Sequence, residues 1–354
     1  MIQKGNRIYF NNEICFYSGL VPDCKKLLDS MADTIIEAIM KNIDVIDTLN
    51  NIEIITDFKI EKDELVKKLE ENRPTQKEID DMSDSSQKEV TPDEFRKKKS
   101  PVLLETKQNS QDSENVEEEV AQQEAEDFYL LVSIYGSILK NAELLDNSDK
   151  VQHLENYMYA MNILLGEIFA LAEVFKKEIP FEDFIKENQE EGKELTQEDF
   201  EKSKELFLEM IKVSFPIALQ HVILENVGTP KLEVAIDELM GQKEDKPFEK
   251  FMLEFLKCDL NVGNVMSELH RYIQKETSEG ILKLIFMKLL FYYRMRFFGT
   301  NTQIYNSILD LIIEVQIKLN PEKSATLSKA FKGNKSIVRK EVAKQIEKSQ
   351  SIEL

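Results

Sequence analysis

Ile281-Leu282-Lys283-Leu284-Ile285-Phe286-Met287-Lys288-Leu289-Leu290-Phe291-Tyr292-Tyr293-Arg294-Met295-Arg296-Phe297-Phe298 is the most apolar stretch of a 354-residue chain. It is long enough for about five helical turns, and its Leu, Ile and Phe run round most of the helix circumference. Four cationic residues interrupt it: Lys283, Lys288, Arg294 and Arg296. Each is costly at the centre of a bilayer, so a membrane span is disfavoured. The stretch reads as a buried helix whose long basic side chains reach solvent along apolar stems.

Outward from this helix the same period continues. Ser278 opens it, and Asn301 to Leu319 follows as the next helix. Upstream, Pro247–Lys257 and Asn264–Lys275 are shorter helices. Thr229-Pro230 supplies an N-cap followed by Pro at the first helical position of a helix ending at Gly241. Thr196-Gln197-Glu198-Asp199 resembles a capping box and opens a long helix toward Asn226, closed by Gly228 and kinked at Pro216. Ser148 caps a helix over Asp149–Lys177, stopped by Pro180. A helix from Ala125 to about Leu145 precedes it. These are the eight helices expected of a domain spanning 125–320. No period of about 34 residues repeats with matching motif positions, so a tetratricopeptide array is not supported.

The remaining segments differ in composition. In 1–71, Arg7-Ile8-Tyr9-Phe10 and Ile14-Cys15-Phe16-Tyr17 flank Asn11-Asn12-Glu13 as a short β-hairpin. Leu27, Leu28, Met31, Ile35, Ile39, Ile43 and Ile46 then recur at helical spacing. Ile52-Glu53-Ile54-Ile55 is ambiguous between strand and helix. Residues 72–124 are rich in Ser, Gln, Glu, Asp and Lys and hold too little apolar surface to offset the entropy of ordering, which reads as a disordered acidic linker. Its one apolar cluster, Val102-Leu103-Leu104, is expected to be exposed. Residues 321–354 form a basic helical tail over Lys323–Lys348. The expected fold class is mainly α. Scarce Gly (11) and Pro (9) and the absence of Trp agree with it.

Net charge is -20. Such a chain does not present the cationic surface that phosphate contacts need, so no nucleic-acid partner is expected. The charge is uneven: 16 acidic against 8 basic residues over 72–127, a net of -8, and 8 basic against 4 acidic over 321–354, a net of +4. The tail is expected to be a solvated face, with an acidic partner or the chain's own linker as the alternative. Cys15, Cys24 and Cys258 are odd in number and form no C-x-x-C, which favours a reducing compartment. The opening Met1-Ile2-Gln3-Lys4-Gly5-Asn6 lacks a signal-peptide core, and a cytoplasmic protein without a membrane association is expected.

No motif carries chemistry. The phosphate loop is absent; Gly333-Asn334-Lys335-Ser336 lacks the first Gly and a preceding strand. No dinucleotide fingerprint and no nucleophile elbow is present. His153, His221 and His270 have no ligand spacing. His221, among Ala218, Leu219, Val222 and Leu224, reads as a packed core histidine. His270-Arg271 has the wrong order for a helical nuclease. Cys258 has no His within helical reach. The run from Phe291 to Phe298 could stack bases, but reads as a core helix with Arg on its rim. Catalytic, cofactor and metal residues are therefore expected to be none, and no cofactor is implied.

Tyr135-Gly136-Ser137-Ile138-Leu139-Lys140-Asn141 resembles an L-G-Q-I-L-K-N motif in the helical C-terminal region of bacterial STAND-type nucleoside triphosphatases. There it follows a charged linker, with a second helix starting shortly after at a Lys, as at Lys150 here. Gly228-Thr229-Pro230-Lys231-Leu232 is similar to that family's G-[ST]-x-K-L turn. Phe255-Leu256-Lys257-Cys258-Asp259-Leu260 and Glu70-Glu71-Asn72-Arg73-Pro74-Thr75 also look like parts of those tails. The resemblance implies a regulator of anti-phage defence or signalling, with the tail serving in sensing or autoinhibition. The triphosphatase core itself is missing, so hydrolysis is not implied. The expected function is a non-enzymatic protein-interaction or sensor module with an NTPase, phage or host protein as partner. Met1 would then lie inside a longer protein, or the chain would act in trans. The alternatives are a structural or viral assembly protein with a flexible acidic arm and, less so, a cryptic helical nuclease.

Overall fold

The computed structural model describes residues 24–42, 48–54, 115–178, 196–261, 265–321 and 324–350. Eleven α-helices and one 3-10 turn occur among them, and no strand. The helices are α1 (Cys24–Lys41), α2 (Asn115–Asn141), α3 (Asn147–Glu178), α4 (Gln197–Val227), α5 (Glu233–Gln242), α6 (Pro247–Leu260), α7 (Val265–Lys275), α8 (Glu279–Arg294), α9 (Thr302–Leu319), α10 (Ser324–Gly333) and α11 (Lys335–Gln350). The mainly α class holds. The expected hairpin at 7–17 and residues 72–114 of the expected linker lie outside the described residues.

Residues 1–60 and 126–354 belong to one compact unit, and 61–125 to a second whose described residues, 115–125, are helical. In the first unit α1 packs on α3, α3 on α4 and α5, and α6 on α4, α5, α7 and α8. α8 packs most extensively on α9, and α9 on α7, α10 and α11. The centre is an aromatic column: Phe248, Phe251, Phe255 and Tyr292 stack in tilted succession, with centroids 5.0–6.1 Å apart. Each such ring, fully buried, contributes about 1.5–3 kcal/mol of transfer free energy.

Local signals set most helix ends. At Thr196 the hydroxyl accepts the Asp199 amide while the Asp199 carboxylate accepts the Thr196 amide, a reciprocal capping box. Asn301 caps α9 and Ser278 caps α8 through their side chains. Thr229 and Pro230 start a helical turn as expected, but a 3-10 turn, Pro230–Leu232, which then gives way to α5. At α3 the expected cap moves: the Asp146 carboxylate, not the Ser148 hydroxyl, receives the Asp149 amide at 2.9 Å. A carboxylate there also opposes the positive end of the helix dipole.

Three expectations are corrected. α2 ends at Asn141 and starts upstream of Ala125, because a turn at 142–146 intervenes. The tail is two helices and not one, divided at Gly333-Asn334. Nor is its α11 part a free solvated face: Val338, Val342 and Ile346 are buried. Arg339 meets Asp310 of α9 through two contacts of 2.6 Å, with Lys335 at 2.8 Å from the same carboxylate. The fork geometry of guanidinium on carboxylate fixes both distance and angle.

Two glycines mark close approaches. A Cβ at Gly136 would stand 2.6 Å from Cε2 of Tyr157, so its absence lets α2 lie against α3. A Cβ at Gly280 would stand 2.1 Å from the Ile52 carbonyl oxygen. Ile52 and Ile54 are buried there, not in a strand, and the Ile54 carbonyl accepts Lys283 Nζ at 2.5 Å. The segment 48–54 is thus tied to the first turn of α8.

Candidate interaction surface

Several charged side chains fall inside, among them Lys243, Glu249, Lys257 and Lys288. Lys288 was expected to reach solvent; its side chain is 2% exposed, and that of Asp259 on α6 is 1% exposed. Lys288 Nζ donates to Asp259 Oδ2 at 3.0 Å, and the Tyr292 hydroxyl donates to Oδ1 at 2.5 Å. The ammonium also lies 5.0 Å from the Tyr292 ring centre and 5.4 Å from that of Phe291. The one-turn spacing of 288 and 292 on α8 puts both donors on one face. Burial lowers the Lys288 pKa and raises that of Asp259, and their mutual attraction opposes both shifts. The Cys258 thiol beside them is pushed up to about 12 by burial. A protonated, enclosed thiol is a poor nucleophile. Solvent scarcely touches these side chains, so the cluster is an internal tie between α6 and α8.

Further lysines act the same way. Lys243, at the end of α5, meets Glu155 (2.5 Å) and the Tyr159 hydroxyl on α3, and Glu249 (3.1 Å) on α6. Burial works against its charge, but the hydrogen bonds to Glu155 and Tyr159 outweigh this and raise its pKa. Lys257 joins Asp237 of α5 (2.6 Å) and Glu268 of α7 (2.9 Å) to α6. Lys318 of α9 donates to the carbonyls of Ile273, Gln274 and Glu276 at 2.6–2.8 Å, which caps the C-terminal end of α7.

The histidines exchange roles. His221, expected in the core, is exposed and lies 3.4 Å from Glu225 one turn on. His153 is the buried one. Its Nδ1 is 2.7 Å from the Tyr135 hydroxyl and its Nε2 is 3.5 Å from Asp29 of α1, and burial lowers its pKa. His270 is at the surface, 2.9 Å from Glu314. No group of three or more His, Cys, Asp or Glu that could hold a metal occurs among the described residues. The run 291–298 is divided: Tyr292 and Tyr293 are buried, and the chain leaves the helix after Arg294. Arg296 stacks on Tyr293 and Tyr305 at 5.3 and 4.9 Å.

The feature that sequence reasoning missed lies on α3 and α4. The two run antiparallel: Tyr157 lies beside Asn226 near one end, and the Phe175 and Phe207 rings meet at 5.9 Å near the other. Around that ring pair the surface is apolar. Leu171, Val174 and Phe175 on α3, with Leu206, Phe207 and Met210 on α4, are 39–68% exposed. At about 100° per residue, Leu171 and Val174 fall on the same side of the helix–helix seam as Phe175, and Leu206 and Met210 on the same side as Phe207. The Lys176–Glu205 ion pair, at 2.5 Å, closes the opposite side of the seam. Lys202, Lys204 and Lys212 are each paired with a glutamate of the same helix. The signal was present in the sequence: Leu206-Phe207-Leu208 and Val174-Phe175 put apolar residues on more than one helix face. Such helices read as fully buried.

Both helices also contain an 18-residue window apolar enough, by length and composition, to cross a membrane, and 39% of each window is buried. The stretch 281–298 is not among these.

The stretches 135–141, 228–232 and 255–260 have packing roles here. Gly136 admits Tyr157, Thr229 caps the 3-10 turn and Leu232 is buried, and Asp259 receives Lys288. No family model, curated protein or solved structure matches the chain.

Proposed function

We propose that this protein is a non-enzymatic protein-interaction module whose docking surface is the outward face at the distal end of the α3–α4 hairpin. One observation carries the reading: six large apolar side chains on two adjoining helices are exposed together, around the Phe175–Phe207 contact. Contiguous apolar patches of several hundred Å² are uncommon on soluble monomers unless something docks there. The buried ion pairs Lys288–Asp259 and Lys243–Glu249 support the same reading, because they tie helices together inside the fold. A sensing or regulatory role beside a STAND-type triphosphatase is the specific form of this proposal, and it rests on the short motifs in α2, α6 and the turn after α4.

The test is site-specific photo-cross-linking in cells. A benzophenone amino acid at position 210 should give discrete adducts, and the same group at Glu244, an exposed polar position, should give none. Equal patterns at both positions, or no adduct at 210, would remove the reading.

A further inference from the structure

The face described above has a size, shape and charge that fit one occupant. We infer that it is the self-association surface of this protein: a second copy docks its own α3–α4 hairpin there about a two-fold axis, giving a four-helix bundle between protomers. This inference rests on reading that face as a docking surface.

Area is the first argument. A fully buried aromatic side chain removes 150–250 Å² from water, so six large side chains at the exposures seen leave on the order of 600 Å² of apolar surface per copy. Two such faces together come to about 1,200 Å², the lower bound of specific interfaces before any rim residue is added. A smaller patch would serve only a transient contact.

Shape is the second. An antiparallel hairpin whose two helices both present apolar residues on one outward face is self-complementary, because a two-fold axis through that face lays each helix against a helix of the other copy. Phe207 and Met210 supply bulk, while the exposed Ser203 and Ser214 on the same side of α4 leave gaps for it.

Charge is the third. Protomers with a net charge of -20 repel one another at long range. At this face the repulsion is locally muted, because Lys176, Lys202, Lys204 and Lys212 are each paired with a glutamate of the same chain. The face therefore makes no demand for a partner of opposite charge. A bilayer fits less well. The Lys212–Glu209 pair lies within the apolar part of α4, no Trp is present to seat at an interface, and an anionic headgroup layer would repel so acidic a chain.

Sedimentation of the full chain from about 1 to 100 μM tests this. The expected result is a dimer of twice 41.2 kDa. Leu171→Glu and Met210→Glu, both at exposed positions, should each raise the dissociation constant by about a hundredfold, as loss of a central apolar contact does. Far-UV circular dichroism and Tm should remain those of the parent chain. A dimer that persists in both variants would overturn the inference, since the contact would then lie elsewhere. A wild-type monomer would also overturn it, whether or not that monomer co-floats with vesicles of phosphatidylcholine and phosphatidylglycerol. In the monomer case the cross-linking at position 210 separates the two ideas. Adducts to a different protein would leave the docking surface standing and remove only the self-association; no adducts would remove both.

Discussion

The interface of α6 with α8 and the distal end of the α3–α4 hairpin invert each other. At the first, a lysine, an aspartate and a tyrosine are enclosed among aromatic rings. At the second, phenylalanine, leucine and methionine face solvent. The buried charges cost desolvation that their mutual contacts must offset, and they give α8 one specific register on α6. The exposed apolar side chains give the fold little, since neither state removes them fully from water. The difference teaches where the stability of this protein resides and where it does not: change at the first region is felt by the fold, and change at the second by whatever docks.

The largest effect expected from breaking this contrast is at Lys288. Lys288→Met leaves Asp259 enclosed with only Tyr292, and should cost about 3–5 kcal/mol in urea denaturation. The double variant Lys288→Met, Asp259→Leu should recover most of that loss, because an apolar pair of similar volume replaces both charges. A double variant as unstable as the single one would show that the pair contributes attraction well beyond its desolvation.

A smaller loss, about 1–3 kcal/mol, is expected from Gly280→Ala. The new Cβ meets a backbone carbonyl at Ile52, which cannot swing away as a side-chain end can. Hydrogen exchange should show the added protection loss concentrated in 48–54 and the first turn of α8. Uniform loss across the helices would mean that the segment is not a separate tie.

Glu254 on α6 sharpens the comparison through pH. Burial pushes its carboxyl up to about 7, with Lys250 and Lys257 lowering it and Glu268 and Asp237 raising it. Its folded value lies above its unfolded value. The stability it permits is therefore complete below about pH 4.5 and is lost as pH rises through 7. Between pH 5 and 8 this amounts to about 1–2 kcal/mol, allowing for its partial exposure. Glu254→Gln should flatten that part of the stability profile, read from urea midpoints at each pH. An unchanged slope would assign the pH dependence to other groups.

The smallest effect on the fold is expected at the apolar face. Met210→Glu should alter unfolding free energy of the monomer by no more than about 0.5 kcal/mol, the usual scale for exposed positions. A loss of several kcal/mol measured below the association range would place Met210 in the core and erase the contrast.

The features legible along the chain are local ones. Thr196, Ser278 and Asn301 satisfy amides within their own first turn, and the period of 3.6 marks eight helices between 125 and 320 without reference to anything distant. The mainly α class follows from those signals. Which face meets which depends on packing between distant segments. His221 sits among apolar residues along the chain and His153 mostly among polar ones, yet His221 is exposed and His153 lies between Tyr135 and Asp29. Lys288 and Lys283 occupy the same apolar helix, and their partners lie far off in the chain: the carboxylate of Asp259 for Lys288 and the carbonyl of Ile54 for Lys283. The side chains around Phe175 and Phe207 have the composition of a core, yet are exposed. Periodicity reports that a face is apolar; its partner is fixed by long-range packing, which one helix does not encode.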